Sequence, residues 1–454
     1  MKILGISRNI LPTLLCGLAA LSGVLWVIPV QAQQMVTLSA GWCPNTSYAG
    51  LFIGIEKGFF KEVGIDIKMV QTTGTTMCGE GMAAGGIDIG FLSGASTLIF
   101  FERGLPFKMT FIYMRSMASN VVVAWPTAPS DGKPISTIAD LKGKKVSAPV
   151  GTSAHHTLLV GLQKYGLTEK DVTLLPMSCE DGQAAFVAKS IDAAAIWLPF
   201  EETCLKAGGK IIFNNGMFEL PPNPTFALIA DVGVFTDKLM KERPDLCRKY
   251  LEQYFRAVDW MYANPSEAVD INMKWITNVG GVPASAAGTL DSLFKTRWIM
   301  KLEDQYKYFK GFPKPDSPIY KMWMSNIEFN KQAGIIKTTF TPDKYVDASF
   351  IVNLAEGRPA AYEDIKAAEA AMAAAGAVGA STAKAKDLLD KAKQALDKWD
   401  VSEASKLAAS ARQEADRARL EAVQSQQMTT YAIIAAVVVV AAGVVIVALK
   451  KKKK

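Results

Sequence analysis

Two successive series of alternating strand-like and helix-like segments constrain this chain more than any other feature. Apolar runs between Val36 and Tyr113 alternate with helical stretches, and a second series begins at Asn120 and reaches Trp197. Such alternation is typical of parallel sheets that carry helices on their faces. The sequence therefore predicts an α/β fold with two lobes.

The predicted first lobe comprises residues 33–118 and 226–357, and the second comprises residues 119–225. The chain would cross between them twice, near residues 117–120 and near residues 221–226. Two crossings form a hinge about which two lobes can close over a ligand. The length supports this division, because about 320 residues are enough for two hydrophobic cores.

Both ends of the sequence are apolar and predict export followed by anchoring. Residues 1–32 combine a basic start with an apolar run and end in Val-Gln-Ala, as a cleaved signal peptide does. Residues 430–449 are long enough to cross a bilayer, and lysines occupy 450–454. Because lysine-rich flanks remain in the cytoplasm, we expect the lobes on the extracytoplasmic face of the cytoplasmic membrane, anchored by a C-terminal helix.

Residues 358–427 differ from the rest of the chain in being rich in alanine. Ala and Leu recur there at helical spacing, for example from Ala385 to Trp399 and from Ala404 to Ala422. We expect a helical stalk or hairpin. A coiled coil that binds a partner is the alternative, although strict heptads of Leu or Ile are missing.

Charge and cysteine content exclude several classes of function. The formal net charge of +7 comes from the two basic residues of the signal segment and the terminal lysines, so no basic face indicates nucleic acid. Five cysteines remain after the signal segment, and a disulfide between Cys43 and Cys78 is one hypothesis. With only two histidines and no C-x-x-C, we expect neither a metal nor a cofactor.

Four motifs in order resemble one family of transport receptors. They read GIEKGFFKEVGIDIKMV, GGIDIGFLSGAS, TIADLKGKKVSAPVGTSAHHTLL and SIDAAAIWLPF. These motifs resemble the solute-binding proteins of ABC importers for nitrate, sulfonates, taurine and thiamine pyrimidine precursors, and the W-x-P-N start at Trp42 resembles the pyrimidine branch. The resemblance implies a type II periplasmic-binding fold that delivers a small solute to a permease and its ATPase.

Two turns within these motifs are predicted to bind oxygen atoms of a ligand. Each follows a strand and opens a helix, whose first N–H groups are free. Ordinary helix caps are the alternative interpretation of the hydroxyl groups. The residues are Ser93, Gly94, Ser96 and Thr97 in the first lobe and Thr152, Ser153 and His155 in the second.

Aromatic residues near the same strand ends point to a flat ligand instead. The rings of Trp42 and Trp197 offer faces on which a heterocycle can stack. The loop after Trp42 adds Asn45, Thr46 and Tyr48, and the Asn45 amide can both donate to and accept from ring nitrogens. These residues favour a pyrimidine-like solute.

Two charged residues favour different classes of ligand. Arg115, beside the first crossing, favours a carboxylate, sulfonate or nitrate through a forked contact. Glu201 favours a cationic or amino-bearing ring. The choice between a small anion and a heterocycle stays open at this stage.

Three functions are compatible with this organisation. The first is an anchored solute receptor, and the second is a surface sensor or adhesive protein that uses the lobes to bind. The third is an enzyme similar to the pyrimidine synthases of thiamine biosynthesis, but Tyr48 stands where those carry histidine. No H-E-x-x-H, phosphate-binding loop or G-x-S-x-G is present. We therefore predict a binding protein rather than an enzyme.

Overall fold

The computed structural model describes residues 35–217 and 230–451. The predicted signal peptide, the second predicted crossing at residues 221–226 and the last three lysines lie outside these residues. Two separate sheets organise the described chain, which confirms the prediction of an α/β fold with two lobes.

The strands, numbered along the chain, are short and largely buried. They are β1 (Val36–Trp42), β2 (Ile65–Gln71), β3 (Ile89–Ser93), β4 (Phe107–Ser116), β5 (Asn120–Ala124), β6 (Lys145–Ala148), β7 (Thr173–Pro176), β8 (Ala193–Trp197), β9 (Lys210–Asn214), β10 (Ala230–Thr236) and β11 (Arg297–Trp298).

The sheet of the first lobe is mixed, so the prediction of a parallel sheet is wrong here. Its order is β11-β4-β10-β3-β1-β2. Strand β1 runs parallel to β2 and β3, whereas β10 lies between β3 and β4 and is antiparallel to both. Strand β10 follows the second lobe in the chain and enters this sheet in the opposite direction. The pattern of apolar runs does not encode that direction.

The sheet of the second lobe has the order β7-β6-β8-β5-β9. Strand β6 is parallel to β7 and β8, and β5 is antiparallel to β8 and β9. Its central strands β5 and β8 are largely runs of Val, Ile and Ala that are buried on both faces, as in Val121, Val122 and Val123. The first crossing, residues 117–119, joins β4 directly to β5.

Helices cover the sheets and then continue beyond them. They are α1 (Ala49–Glu56), α2 (Phe59–Glu62), α3 (Thr75–Ala83), α4 (Gly94–Glu102), α5 (Ser153–Lys164), α6 (Cys179–Val187), α7 (Phe200–Lys206), α8 (Asp237–Glu242), α9 (Pro244–Ala263), α10 (Pro265–Met273), α11 (Ala286–Asp291), α12 (Leu302–Phe309), α13 (Pro318–Gln332), α14 (Ser349–Ala377), α15 (Ala383–Asp397) and α16 (Val401–Lys451).

Residues 274–296, which the sequence assigns to the first lobe, also pack on the second. Ile276 and Val282 belong to the hydrophobic core of the second lobe. Ser285 Oγ donates a hydrogen bond of 3.0 Å to Glu202 Oε1 on α7. A π-helical turn bounds this bridging segment at each end. The lobes are thus joined here as well as at the first crossing.

The C-terminal helices α14, α15 and α16 pack together through small side chains, and the region is helical as predicted. Ala368, Ala392, Ala408 and Ala411 are buried where these helices meet, beside Leu389. Alanine lets helix backbones approach closely but contributes little apolar area. The packing therefore combines a close fit at the alanines with the few large buried side chains, Ile365 and Leu389.

The start of α16 belongs to the core of the first lobe. Trp399 and Val401 are buried in that core. Gln253 Nε2 on α9 donates a hydrogen bond of 2.9 Å to the Lys398 carbonyl oxygen, and the Arg358 guanidinium lies 3.8 Å from the centre of a Trp399 ring. The predicted boundary between residues 357 and 358 falls inside α14, so the stalk and the lobe share packing.

Helix α16 also contains the predicted membrane segment. Within residues 401–441 it has an apolar stretch long enough to cross a membrane, by length and composition alone. The side chains of that stretch are exposed in the described chain. A core helix of a soluble protein would bury them.

We expect Ala408→Leu to destabilise the C-terminal helices. Ala408 has no exposed surface, and extra methylene groups in a close-packed contact cost about 1–3 kcal/mol. Thermal melting followed by circular dichroism should show a lower midpoint for this variant. Ala409→Leu is the matched control, because Ala409 is exposed on the same turn. Equal midpoints for the two variants would contradict the close packing.

Candidate functional site

The two lobes enclose a small cavity between the ends of their strands. Its free volume is about 10 Å³, close to the room that one water molecule needs, so the lobes are closed on one another here. A wider groove between α12 and the C-terminal helices is lined by neither strand ends nor second-lobe residues. The cavity is lined by Cys43, Asn45, Ser47, Thr75, Tyr113, Met114, Asp231 and Arg297 of the first lobe and by Asn120, Thr152, Ser153 and Trp197 of the second.

The lobes touch beside this cavity, at the turn that precedes α5. Gly151 has a φ of 77°, which favours glycine. A Cβ atom at this position would lie 3.3 Å from Cδ1 of Ile99 in the first lobe. Backbone conformation and close approach both favour glycine here. The structure therefore holds the lobes in contact around the cavity.

Asn45 shapes the loop that follows β1. Its Oδ1 accepts a hydrogen bond of 2.8 Å from the Ser47 N–H, and its Nδ2 donates to Cys43 Sγ at 3.2 Å. The side chain thereby caps the short helix Thr46–Tyr48. Both the oxygen and the nitrogen of the amide are hydrogen-bonded within the loop, and these bonds fix its conformation beside the cavity.

Arg297 is the principal cationic group of the cavity, and it is only 4% exposed. Its Nη1 donates to the hydroxyl groups of Thr46 and Ser292. Its Nε is buried without a hydrogen-bond partner. Burial lowers the pKa of Arg297, while Glu201 and Asp231 raise it. Within the described chain, no carboxylate forms a direct ion pair with this guanidinium.

Two buried carboxyl groups lie near Arg297. Burial raises the pKa of Asp231 to about 7, against the opposing influence of Arg297. Burial likewise raises the pKa of Glu201 to about 7, again opposed by Arg297. Tyr113 Oη lies 3.4 Å from Asp231 Oδ2, while Asp231 Oδ1 and Glu201 Oε2 are buried without partners. Asp231 lines the cavity, whereas Glu201 is not one of its lining residues.

The second lobe contributes an indole and a short polar cluster. Trp197, at the end of β8, is buried and its Nε1 has no hydrogen-bond partner. Ser153 Oγ, at the start of α5, donates to Asn120 Oδ1 at 3.0 Å. These groups face Asp231 and Arg297 across the cavity, so each lobe supplies polar atoms.

Predicted residues at the start of α4 serve that helix instead of the cavity. Ser93 Oγ accepts from the Ser96 N–H at 3.1 Å, and Thr97 Oγ1 donates to the Ser93 carbonyl at 2.7 Å. Gly94 lies in the same turn, and its absent Cβ would meet the Ala230 carbonyl at 2.9 Å. The hydroxyl groups of this turn therefore act as an ordinary helix cap, which was the alternative interpretation of the sequence.

Other predicted residues lie in the surrounding packing. Trp42 packs edge-to-face against Phe52 and Trp275, with ring centres 5.4 and 5.7 Å apart. Tyr48 Oη lies 3.3 Å from Cys43 Sγ. Neither aromatic residue lines the cavity, so the structure gives no face of Trp42 to a ligand.

Arg115 and His155 also lie outside the cavity lining. Arg115 is hydrogen-bonded to Tyr308 on α12. His155 Nε2 lies 3.2 Å from Glu169 Oε2, and its Nδ1 accepts from the Gly151 N–H at 3.3 Å. The predicted residues that do line the cavity are Asn45, Thr152, Ser153 and Trp197, with Thr46 and Glu201 beside Arg297.

Sequence reasoning missed the two charged groups that line the cavity. Asp231 was detectable, because a carboxylate within the apolar strand Ala230–Thr236 is rarely buried without a reason. Arg297 lies in a two-residue strand at a sheet edge, and no local pattern marks it. The position of Arg297 in the cavity depends on the bridging segment, and no hydrophobic periodicity in the sequence predicts the fold of that segment.

The five described cysteines are all buried and free. The hypothesis of a disulfide between Cys43 and Cys78 is therefore wrong. Cys78 lies close to β1, where a Cβ on Gly41 would be only 2.4 Å from its sulfur. Burial raises the pKa of Cys43 to about 11. These thiols act as small apolar side chains in the core.

The family comparison agrees with this arrangement. Residues 45–268 match the family model described as NMT1/THI5 like. The chain carries an NMT1/THI5-like domain. This domain begins in the loop after β1 and includes the whole second lobe, so it supplies most of the cavity lining. The resemblance proposed from the four motifs is confirmed.

Two curated relatives align with about half of this chain. A protein of Brucella abortus named as a binding protein is 29% identical over 49% of this chain, and a protein of Bacillus subtilis named as an aliphatic sulfonates-binding protein is 27% identical over 50%. In both cases the alignment spans 66% of the relative, slightly less than two thirds of its length.

A solved structure supports the fold of the domain and its surroundings. The alkanesulfonate-binding protein SsuA from Xanthomonas axonopodis pv. citri, bound to MOPS, superposes with a TM-score of 0.55 at 17% identity. The superposition covers 69% of this chain and 99% of that protein. The predicted periplasmic-binding fold, followed by a C-terminal helical region, is confirmed.

The raised pKa of Asp231 predicts how pH affects the stability of the unliganded protein. The folded carboxyl titrates at about 7, whereas an unfolded aspartate titrates near pH 3.9. The folded state therefore binds more protons between these values, and stability falls as pH rises through this window, by at most about 1.4 kcal/mol per pH unit.

Asp231→Asn should remove that contribution. Midpoints of thermal unfolding measured from pH 4 to 8 should show the wild type losing stability relative to the variant as pH rises. Asp364→Asn changes the charge equally at an exposed position of α14 and serves as control. Parallel pH profiles for wild type and Asp231→Asn would contradict the assignment.

Proposed function

We propose that this protein is the substrate-binding receptor of an ABC importer and not an enzyme. It captures a small solute in the cavity between its lobes and delivers it to a permease. The observation that carries this proposal is the cavity itself, which both lobes line and which contains unpartnered polar atoms from each lobe. Relatives named as binding proteins support it.

Lobe closure would control access to the cavity. The first lobe contributes Arg297 and Asp231, and the second contributes Trp197 and Ser153. A solute held by both sets stabilises the closed arrangement, since either lobe alone would offer only part of the contacts. This is the differential affinity by which a ligand shifts a conformational equilibrium.

The lining of the cavity favours a small polar solute of the sulfonate, nitrate or thiamine-precursor classes. The free volume is about 10 Å³ in the arrangement described, so the lobes would have to part to admit it. A heterocycle would find aromatic surface at Tyr113 and Trp197 rather than at Trp42. An anionic group would find Arg297.

Helix α16 would anchor the receptor on the extracytoplasmic face of the cytoplasmic membrane. Its apolar stretch supports this placement, and Lys450 and Lys451 extend the same helix beyond it. The permease and the ATPase are the partners in this proposal. A captured solute would then be released close to the membrane that it must cross.

Thermal melting of the full chain in detergent micelles tests the proposal. The panel contains pyrimidines, thiamine, taurine, alkanesulfonates, nitrate and bicarbonate. A ligand at one hundred times its Kd stabilises the folded state by about 2.7 kcal/mol, which is a visible shift of the midpoint. We expect at least one small polar compound to give such a shift.

A site variant shows where the compound acts. Trp197→Phe keeps an aromatic ring but removes the unpartnered indole N–H, and it should reduce the shift. Tyr362→Phe is the control, because Tyr362 is exposed on α14. A panel without any shift would contradict the receptor function and favour a surface protein that binds a macromolecule.

A further inference from the structure

A hydrogen bond outside the cavity joins the second lobe to the bridging segment, residues 274–296. Ser285 Oγ donates to Glu202 Oε1 on α7 at 3.0 Å. The same hydroxyl oxygen accepts from the Gly288 N–H at 3.0 Å and so caps α11. The Glu202 side chain is only 16% exposed. A carboxylate of the second lobe therefore contacts the first turn of a helix that leads back to the cavity.

Gly288 lets the carboxylate approach this closely. A Cβ atom at residue 288 would collide with the carboxylate of Glu202, whose Cδ lies only 2.9 Å from that position. Gly288 lies inside α11, where alanine would favour the helix more than glycine does. Glycine at this position therefore serves the contact with the second lobe and not the helix.

Helix α11 runs from this contact to the principal cation of the cavity. It ends at Asp291, and Ser292 begins the π-helical turn that follows. Ser292 Oγ accepts from Arg297 Nη1, and the Arg297 backbone N–H donates to the Ser292 carbonyl oxygen. Ser292 has no exposed surface. Both the backbone and the side chain of Arg297 thus depend on the position of Ser292.

The far end of the bridging segment is attached to the first crossing between the lobes. The Thr296 carbonyl oxygen accepts from the Met117 and Ala118 N–H groups at 2.8 and 3.0 Å. Ser292 lies between this attachment and the contact with the second lobe, in a π-helical turn, a form that is frequent at functional sites. Movement of the second lobe about the crossing would therefore displace α11 and, with it, Ser292.

We propose that Glu202 is a positioning residue: through α11 and Ser292, it sets the Arg297 guanidinium for the solute when the lobes close. This inference rests on the proposed receptor function and adds to it a residue outside the cavity. The hydroxyl groups of Thr46 and Ser292 occupy Arg297 Nη1, whereas Nε has no partner. They thereby determine which N–H of the guanidinium stays available to an acceptor oxygen.

Two substitutions break this relay from opposite ends. Glu202→Ala removes the acceptor of Ser285, and Gly288→Ala puts a methyl group where the carboxylate lies. Glu202→Gln keeps an acceptor oxygen and should behave as the wild type, because the contact needs an acceptor and not a charge. Lys206→Ala removes the ion-pair partner of Glu202 at 3.6 Å and controls for the change of charge.

Chemical modification examines the cation without any ligand. Phenylglyoxal attacks guanidinium groups, and mass spectrometry after treatment of the full chain in detergent micelles gives the rate at Arg297. One hydrogen bond changes an equilibrium by a factor of roughly 2–12. We expect Glu202→Ala and Gly288→Ala to raise the rate at Arg297 by such a factor. Glu202→Gln and Lys206→Ala should leave it unchanged.

Two internal controls separate positioning from opening. Cys43 lines the same cavity, so its alkylation by iodoacetamide reports parting of the lobes. Arg115 lies outside the cavity lining and is hydrogen-bonded to Tyr308, so its modification reports general loosening of the first lobe. We expect the rate at Arg297 to rise by more than either of these. Equal rises at Arg297 and Cys43 would overturn the inference.

The two substitutions in one chain give the decisive comparison. If both break one contact, the double variant should show no larger effect than Glu202→Ala alone, whereas independent effects would multiply. If α11 matters only as a helix, Gly288→Ala should instead slow the modification of Arg297, because alanine favours the helix. Slower or unchanged modification in Gly288→Ala, or multiplied effects in the double variant, would overturn the inference.

Calorimetry of the same chains connects the relay to binding. The probes are ethanesulfonate and nitrate, which offer acceptor oxygens to the guanidinium. We expect the Kd of a bound probe to rise by a factor of roughly 2–12 in Glu202→Ala and Gly288→Ala, and to stay at the wild-type value in Glu202→Gln. If only a neutral compound of the earlier panel binds, it replaces the probes.

The outcomes separate this inference from the receptor function. Binding with one Kd in all chains would overturn the inference and leave the receptor function intact. If neither probe and no compound of the earlier panel binds to the wild type, the receptor function is contradicted, and the inference with it.

Discussion

The burial of the Arg297 guanidinium is the constraint on which the site depends. A cation removed from water costs several kcal/mol unless its surroundings compensate. Here the compensation comes from the hydroxyl groups of Thr46 and Ser292 and from the field of two acidic residues. Those contacts join the loop after β1 to the end of the bridging segment. The cation therefore holds together two parts of the first lobe that lie far apart in sequence.

The two lobes and the family could be predicted from sequence because their signals are local. Alternating apolar runs predict strands and helices, and the four motifs lie within such runs. The order of strands in the first lobe could not be predicted in the same way. The position of β10 between β3 and β4 depends on a return from the second lobe, and apolar patterns carry no direction.

The residues of the candidate site also differ in whether a local sequence pattern predicts them. Asn45 and Ser153 follow strands whose ends were predicted, and Trp197 is the last residue of such a strand; all three line the cavity. The hydroxyl groups of α4 fitted the pattern equally well, but they cap their own helix. A polar side chain at a strand end can thus either cap the following helix or contact a ligand, and the local sequence does not distinguish these two roles. The position of the opposing lobe distinguishes them.

The origin of α16 within the first lobe has a geometric consequence. The helix is continuous from Val401, which is part of the lobe core, to Lys451. The helix therefore sets the distance and the rotation between the lobe and the apolar segment, because each residue adds a rise of about 1.5 Å and a turn of about 100°. Tyr431 lies about 45 Å along the axis from Val401 by this measure. The number of residues between them fixes both the height of the lobe above the apolar segment and the direction in which its cavity faces.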